Sequence, residues 1–228
     1  MRLSLIIPFY NEEKNVSRVL DETVTVLEDA TIDYEIIAVQ NGSWDGTSEL
    51  IDRARHENDR IKKFSIEVNQ GLGWGIISGL RQAEGDIVGW ICGDGQVEGK
   101  HLVEVYRLAE EKGTRGIYKI NRIQRFDGFK RRFISATFNG MMKVMFDVDT
   151  RDANATPKLF GKDVFEEMEL VSKDWFIDSE IMIKARRLGI PTHEVPAIFN
   201  ERQGGASNIR LTTSLEFLKN LLRFYIKR

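Results

Sequence analysis

The chain has 228 residues, of which 42% are hydrophobic and 30% charged, a composition typical of a well-cored globular protein. Its formal net charge of −2 argues against an overall nucleic-acid-binding surface. A single cysteine excludes a disulfide framework and favours a reducing compartment. The first apolar run is too short for a signal peptide, and we expect no membrane-spanning helix.

Strands and helices alternate in the first half of the chain. Apolar runs predict strands, and each is followed by a polar or glycine-rich turn and a helical pattern. We expect Asn11 to cap the first helix, with acids in its first turn. The predicted strands are 3–8, 34–40, 61–68 and 86–92, with a glycine-rich turn at 71–75, and the predicted helices are 11–29, 48–58, 76–83 and 100–112.

The second half is less regular. Gly189 is a C-cap signal that ends one amphipathic helix. Basic residues follow the fifth strand, and we expect them to form a loop. The predicted strands are 116–120, 158–160 and 192–199, the predicted basic loop is 122–132, and the predicted helices are 133–146, 177–188 and 211–228.

Strand–helix alternation with short loops implies a mostly parallel, doubly wound sheet. In such a sheet the loops that follow the strands line one crevice, where ligands bind. The loops at 9–13, 40–46 and 92–96 are therefore expected to converge.

The segment WICGDGQ, residues 90–96, is an apolar strand that ends in a turn with one acid, Asp94, and one amide, Gln96. Hard cations such as Mg²⁺ prefer oxygen ligands and share them with substrate phosphates, so this turn indicates a metal–phosphate site. Such sites usually have two acids, and Cys92 stands where the other is expected. A thiol is a soft ligand that suits Mg²⁺ poorly, and we interpret Cys92 as a small buried residue.

Five segments carry a family resemblance when taken in chain order: SLIIPFYNEE, VQNGSWDGT, NQGLGWGIISGL, the GDGQ turn and VPAIFNERQGGASN. Together, from Ser4 to about Asn208, they resemble family 2 inverting glycosyltransferases with the GT-A fold. Within that family, the motifs look most like those of dolichol-phosphate mannosyltransferases and related polyprenyl-phosphate glycosyltransferases. The resemblance implies an α/β GT-A fold, a mostly parallel central sheet flanked by helices. It implies one domain over 1–210, with a nucleotide-binding half (1–112) and an acceptor-binding half (113–210), and an amphipathic helix at 211–228.

The resemblance also implies the residues that bind a nucleotide-sugar donor. Gln40 and Asn41 are amides where relatives usually have two acids, which leaves the base open. The residues alone leave another reading open for both segments. Glu12 also fits a helix start that favours an acid, and the turn at 41–47 also fits ordinary turn and capping residues. The glycine run at 71–75 is a poor NAD signal, because it opens no first βαβ unit. The implied donor-binding residues are Pro8, Tyr10, Asn11, Glu12, Gln40, Asn41, Gly71 and Asp94.

Asp94 and Gln96 are implied to hold Mg²⁺ or Mn²⁺, with affinity weakened by Cys92. Arg202 and Ser207 match a mobile loop that closes over the donor diphosphate, although an ordinary surface turn is the alternative. Acceptor phosphate binding is carried over to Arg122, Arg131 and Ser135, against the alternative of a solvated basic loop.

Asp178 and Glu180 lie two residues apart at the start of a predicted helix, and we favour Asp178 as the functional acid. In many relatives an acid here is the base that deprotonates a hydroxyl acceptor. A phosphate acceptor is already ionised, and Asp178 would then orient the sugar or the acceptor. Asp152 is either structural or a sugar contact, and His193 is interpreted as structural. The implied catalytic set is Asp94, Asp178 and Arg202.

The expected function is transfer of a sugar from a nucleotide-diphosphate donor to a polyprenyl (dolichyl-type) phosphate, with inversion. The alternatives are an inverting transferase for a soluble hydroxyl acceptor and a non-catalytic nucleotide- or lipid-phosphate-binding homologue. The latter is motivated by Gln40, Asn41 and Cys92, which stand in place of acids. Apolar and basic residues over 211–228 predict a peripheral position at the cytoplasmic face of a membrane, with or without an anchoring partner protein, or a helix packed on the domain.

Overall fold

The computed structural model describes residues 1–93, 98–125, 128–148, 150, 152–199 and 211–226, with the backbone alone for 124–125, 128–135, 198–199 and 211–218. Its strands are β1 (Leu3–Phe9), β2 (Tyr34–Asn41), β3 (Ile61–Ile66), β4 (Ile87–Trp90), β5 (Ile117–Arg125), β6 (Lys158–Gly161) and β7 (Thr192–Phe199). Its helices are α1 (Val16–Asp29), α2 (Thr47–Glu57), α3 (Leu72–Leu80), α4 (Gly99–Lys112), α5 (Gly128–Phe146), α6 (Lys162–Met168), α7 (Ile177–Arg187) and α8 (Leu211–Ile226).

The described strands form one sheet in the order β3-β2-β1-β4-β6-β5-β7. Only β6 among them runs antiparallel to its neighbours, β4 and β5. Strand β1 is buried along its whole length because helices cover both faces of the sheet. Leu3 and Leu5 belong to the apolar core that includes buried residues of α1 and α4, whereas Ile6 belongs to the core that includes those of α3 and α7. The predicted mostly parallel α/β sheet is confirmed.

The first helix begins at Val16, so the predicted cap at Asn11 is wrong. Asn11 has a φ of 53° and bonds the neighbouring loop instead. Its backbone N–H donates to Ser43 Oγ at 3.0 Å, and its Oδ1 accepts from the Trp44 N–H at 3.1 Å. The N-cap is Asn15, and the first turn holds no acid.

Two predicted loops are partly regular structure. Helix α3 begins at Leu72, inside the predicted glycine turn, and only Gly71 of the three glycines has a positive φ, 111°. Strand β5 continues to Arg125 and α5 begins at Gly128, so a basic loop over 122–132 is wrong. The extension is stabilised by pairing with β7 up to Arg125. Helix α6 was missed, because seven residues carry too little periodicity.

Two side-chain rows cross the sheet between β4 and β7. In register, Trp90, Lys158, Lys119 and Glu194 stand side by side on β4, β6, β5 and β7. On the opposite face Tyr118 stacks on His193, with ring centroids 5.3 Å apart, consistent with a structural role for that histidine. The first row places four polar or charged groups beneath α7, and it is central to the site.

The C-terminal half of α8 packs on the domain. Leu221 is fully buried, and the Phe224 ring lies 5.2 Å from the ring of Phe176. Tyr225 makes an edge contact with Phe146 at 6.0 Å. The packed-helix alternative therefore holds for this half. Among the described helices, α8 included, none is long and apolar enough to cross a bilayer.

Candidate active site

The loops after β1 and β2 are cross-bonded at the carboxyl edge of the sheet. The Glu12 N–H donates to Thr47 Oγ1 at 2.9 Å, and the Glu13 N–H donates to Asp45 Oδ2 at 3.2 Å. Glu13 Oε2 in turn accepts the Gly46 N–H at 3.1 Å. Ser43, Asp45 and Thr47 thus act as loop-bridging groups, and the predicted convergence of these two loops is confirmed.

The end of β4 joins the same edge. A Cβ added to Gly93 would lie 2.7 Å from the Phe9 ring and 3.0 Å from the Pro8 carbonyl oxygen. Glycine therefore lets the two strand ends lie side by side. Asp94 and Gln96, which follow, lie outside the described residues. Of the predicted donor-binding residues here, Pro8 is buried and Tyr10 is exposed at the rim.

Gln40 and Asn41 use their amides within the protein. Gln40 Nε2 donates to the Ser43 carbonyl at 3.2 Å, and its Oε1 accepts the Gly42 N–H at 3.0 Å. Asn41 Nδ2 donates to the Gly71 carbonyl at 3.2 Å. A carboxylate could not donate the bonds to the Ser43 and Gly71 carbonyls, which gives a physical reason for amides at these positions. Asn41 Oδ1 is buried and accepts no hydrogen bond from the described residues.

Segment 172–174 lies against the N-terminal turn of α3. The Trp74 N–H donates to the Lys173 carbonyl at 3.1 Å, and Lys173 Nζ sits 4.6 Å from the centroid of the Trp74 ring. A Cβ on Gly71 would lie 2.2 Å from the Lys173 carbonyl oxygen, and one on Gly73 would lie 2.2 Å from that of Ser172. The glycines are therefore needed for this close approach. The approach joins the two halves of the chain.

Glu180 anchors that segment from α7. Its fully buried carboxylate accepts the Val171 N–H at 3.0 Å and the Ser172 N–H at 2.7 Å, and it pairs with Lys184 at 2.9 Å. Sequence reasoning left Glu180 without a role. The backbone acceptor role has no sequence signal, because it depends on a turn eight to nine residues upstream.

We expect Gly73→Ala to destabilise the protein by about 1–3 kcal/mol, because its Cβ must displace backbone atoms of segment 172–174. Thermal unfolding measures the change. The matched control is Gly140→Ala on α5, where a Cβ meets nothing within 4 Å and should be neutral or stabilising by up to about 1 kcal/mol. Equal stability of the two variants would contradict the packing argument.

Arg122 lies in β5 and forms a buried bidentate pair with Asp152. Its Nε and Nη2 atoms donate to the two carboxylate oxygens at 2.5 and 2.6 Å. The two side chains are only 12% and 6% exposed. Burial opposes the charge of Arg122, but the Asp152 carboxylate raises the pKa of the guanidinium overall. This placement makes Asp152 the partner of a predicted acceptor-binding residue.

Two buried lysines and two acids flank that pair. Lys158 Nζ donates to Asp178 Oδ1 and, at 2.9 Å, to the Ala153 carbonyl. Lys119 Nζ pairs with Glu194 Oε1 at 3.2 Å. Burial lowers the pKa of Lys119 to about 8. Burial also raises the pKa of the Asp178 carboxyl, against the opposing effect of Lys158. Three cations and three carboxylates, with Arg122–Asp152 included, are thus balanced in this part of the site.

Cys92 is half-buried, and its Sγ lies 3.6 Å from Thr156 Oγ1. The thiol is thus turned toward the loop before β6. Within the described residues no cluster of three His, Cys, Asp or Glu side chains is arranged to hold a metal. Asp94 and Gln96, the predicted metal ligands, lie outside the described residues, and their oxygens are of the type that a hard divalent ion prefers.

The remaining predicted site residues are only partly placed. Arg131 and Ser135 lie one helical turn apart in the first half of α5, where only the backbone is described. Arg202 and Ser207 fall outside the described residues. Lys119, Lys158 and Glu180 are fully buried charged groups of the site whose contacts the sequence did not reveal.

The fold brings the loops together at the carboxyl edge of a mostly parallel sheet, which is where such sheets bind ligands. The chain belongs to glycosyl transferase family 2, whose model matches residues 4–168. It is 28% identical over 208 residues to glycosyltransferase AglD of Haloferax volcanii, covering 86% of this chain and 32% of that protein. It is 28% identical to a dolichyl-phosphate beta-glucosyltransferase of Trichomonas vaginalis, covering 98% of this chain and 73% of that one. The chain thus spans about a third of the first relative and about three quarters of the second.

Solved structures share the fold. A mannosyl-3-phosphoglycerate synthase from Rubrobacter xylanophilus superposes with a TM-score of 0.78 at 18% identity, covering all of this chain and 74% of that one. A glucosyl-3-phosphoglycerate synthase from Mycobacterium tuberculosis, in complex with Mn²⁺, uridine diphosphate and phosphoglyceric acid, gives 0.76 at 17% identity, covering 98% and 78%. The predicted GT-A fold is confirmed for a chain that belongs to this family.

Proposed function

We propose that the chain transfers a hexosyl group from a nucleotide-diphosphate donor to a polyprenyl phosphate, with inversion. The observation that carries the proposal is a pair of adjoining regions at one sheet edge. One is built from the cross-bonded loops after β1 and β2, and the other is the buried, charge-paired region of β5 and β6. A relative matched over nearly the whole chain is named a dolichyl-phosphate beta-glucosyltransferase, which supports this acceptor class and a glucosyl group. A solved structure of the same fold holds uridine diphosphate, so UDP-glucose is the first donor to test.

The donor side would bind the nucleotide along the rim of the loops after β1 and β2. Tyr10 is exposed there, and Glu12 is held near Asn15, with its Oε2 2.5 Å from Asn15 Nδ2. Asp94 and Gln96 are proposed to hold a divalent cation, which when bound offsets charge on the leaving diphosphate. Arg202 and Ser207 are proposed to fold over the same diphosphate. These roles are carried over from the family.

The acceptor side would bind the lipid phosphate with Arg122, Arg131 and Ser135. Arg122 is already oriented by Asp152, so its guanidinium is fixed in the plane that both bonds define. The acceptor phosphate oxygen would attack the anomeric carbon directly. Catalysis would then come mainly from positioning and charge neutralisation.

A thermal-shift panel of nucleoside diphosphates and nucleotide sugars, with and without Mn²⁺, identifies the donor. Linkage predicts a higher unfolding midpoint for a ligand that binds the native state only. We expect the largest shift with a uridine diphosphate ligand and Mn²⁺. If no nucleotide shifts the unfolding midpoint, the chain has no donor site. If a nucleotide shifts the midpoint but no acceptor gives turnover, the non-catalytic homologue is favoured.

We also propose that the outer face of α8 contacts a membrane surface. Leu222 and Ile226 are 48% and 80% exposed, whereas Leu221 and Phe224 of the same helix pack inward. Lys219 and Arg223 are exposed on the helix and would meet anionic head groups.

The double variant Leu222→Gln/Ile226→Gln should float poorly with anionic liposomes, with bound protein reduced about fivefold or more. It keeps the inward contacts that deletion of residues 211–228 would remove. Val68→Gln, at a 71% exposed residue in the loop after β3, is the matched control and should float as the wild type does. If the double variant floats as well as the control does, α8 is not the contact.

A further inference from the structure

Lys158 is a fully buried cation in the middle of the sheet. It stands on β6 between Trp90 of β4 and Lys119 of β5, and its side chain is 0% exposed. An antiparallel register brings the Cβ atoms of Lys158 and Lys119 to within about 5.5 Å, so two like charges are adjacent. Such an arrangement is unfavourable unless each cation has its own carboxylate. Asp178 and Glu194 supply these carboxylates.

The two carboxylate oxygens of Asp178 differ in their hydrogen bonding. Its Oδ1 accepts from Lys158, and within the described part of the chain its Oδ2 has no hydrogen bond. Its side chain is 7% exposed, so this carboxylate is at the margin of the buried region. The Ala153 carbonyl, 2.9 Å from Lys158 Nζ, fixes the ammonium from a second direction. The aspartate is therefore oriented through the lysine.

We propose that Lys158 is a positioning residue that holds Asp178 as an oriented carboxylate, so that Oδ2 accepts a hydrogen bond from a hydroxyl of the transferred sugar. The inference rests on the proposed function and adds a residue and a role to it. It also separates the two roles that the sequence left open for Asp178, because it makes the aspartate an orienting acceptor and not a proton acceptor.

The physical argument concerns what protonation of Asp178 would do. A neutral Asp178 leaves Lys158 as a buried cation without its carboxylate, which is strongly unfavourable. A phosphate acceptor is already an anion, so transfer to it releases no proton that a base must take. Burial raises the pKa of Asp178 and lowers the pKa of Lys158, and the opposite charge of each partner opposes both shifts. The described charged and titratable groups around the pair are Lys119, Arg122, Asp152, Glu194 and Cys92.

Removal of the Lys158 charge should raise the pKa of Asp178 further, because an opposite charge nearby favours the ionised form. Activity that needs the carboxylate is lost as pH falls through that pKa. The acid limb of the pH profile of kcat/KM should therefore move to higher pH in Lys158→Gln, by about one unit or more. We expect kcat to fall by about 100-fold, with KM for UDP-glucose within about threefold of wild type.

The test measures transfer from UDP-glucose to dolichyl or undecaprenyl phosphate by the full chain. The variants are Lys158→Gln, Asp178→Asn, their combination and Lys158→Arg. If Lys158 acts through Asp178, the combined variant loses no more than about threefold beyond Asp178→Asn alone. Lys158→Arg keeps the cation, so its acid limb should remain within about 0.3 pH units of wild type. Lys63→Gln is the control, a mostly buried lysine of β3 whose carboxylate partner Asp52 lies outside the site, and should leave kcat within about threefold.

The outcomes separate the two proposals. A wild-type chain that transfers no sugar with any donor and acceptor contradicts the proposed function. An active wild type with an unshifted acid limb in Lys158→Gln contradicts the inference alone, as do fully multiplicative losses in the combined variant. Equal losses in Lys63→Gln and Lys158→Gln would show a merely structural role. Should Lys158→Gln fail to fold, a shifted limb in Lys158→Arg would contradict the inference.

Discussion

Asp94→Ala should lower sugar transfer by at least about 1,000-fold. The proposed cation is bound by Asp94 and Gln96, and loss of the only acid at that turn removes the charged ligand that would hold it against the donor diphosphate. Steady-state transfer at saturating donor, titrated with Mn²⁺, measures the effect. Partial recovery at high Mn²⁺ would fit a weakened site.

Cys92→Ala is the matched control in the same turn, and its activity should stay within about threefold of wild type. The thiol lies by Thr156 at 3.6 Å and is a poor ligand for hard cations, so its removal takes away little that the metal needs. Full activity of Asp94→Ala, or loss of activity in Cys92→Ala as severe as in Asp94→Ala, would overturn the assignment of the metal ligands.

Asp152→Ala should destabilise the protein by about 3–5 kcal/mol, because it leaves the buried Arg122 guanidinium without its bidentate carboxylate. Transfer should fall with it by about 100-fold or more, since Arg122 would no longer be fixed for the acceptor phosphate. Chemical denaturation and transfer assays measure the two effects.

A double variant separates stability from function at this pair. Arg122→Met/Asp152→Leu replaces both charges with apolar groups, and such replacements of buried pairs are often neutral or stabilising. Its unfolding free energy should return to within about 1–2 kcal/mol of wild type, while transfer stays low. Recovery of transfer in the double variant would remove Arg122 from the acceptor site.

The first half of the fold could be predicted from the sequence because its signals are local. Buried parallel strands such as β2, and the helices after them, produce long apolar runs and regular turns, so their positions agree with the structure within a few residues. The errors arose where tertiary contacts override local signals. Asn11 looked like a cap but bonds the next loop, and Arg125 looked like a loop residue but pairs with β7.

Individual residues of the candidate site could be predicted from the sequence, but the contacts between them could not. Sequence motifs named Arg122, Asp152 and Asp178 separately. The contacts of Arg122 with Asp152 and of Lys158 with Asp178 depend on the antiparallel insertion of β6 between β4 and β5, which no local pattern encodes. The amides of Gln40 and Asn41 looked like lost acids, and their donor bonds to Ser43 and Gly71 appear only once the loops are placed.

Formation of a lipid-linked sugar tests the central claim most directly. Purified full chain is incubated with UDP-glucose, Mn²⁺ and dolichyl or undecaprenyl phosphate, and the anomeric configuration of the extracted product is determined by NMR. Inversion of this α-linked donor predicts a β-linked glucosyl phospholipid whose formation requires the phosphate of the lipid. An α-linked product, or transfer to a soluble hydroxyl compound with none to the lipid phosphate, would contradict it.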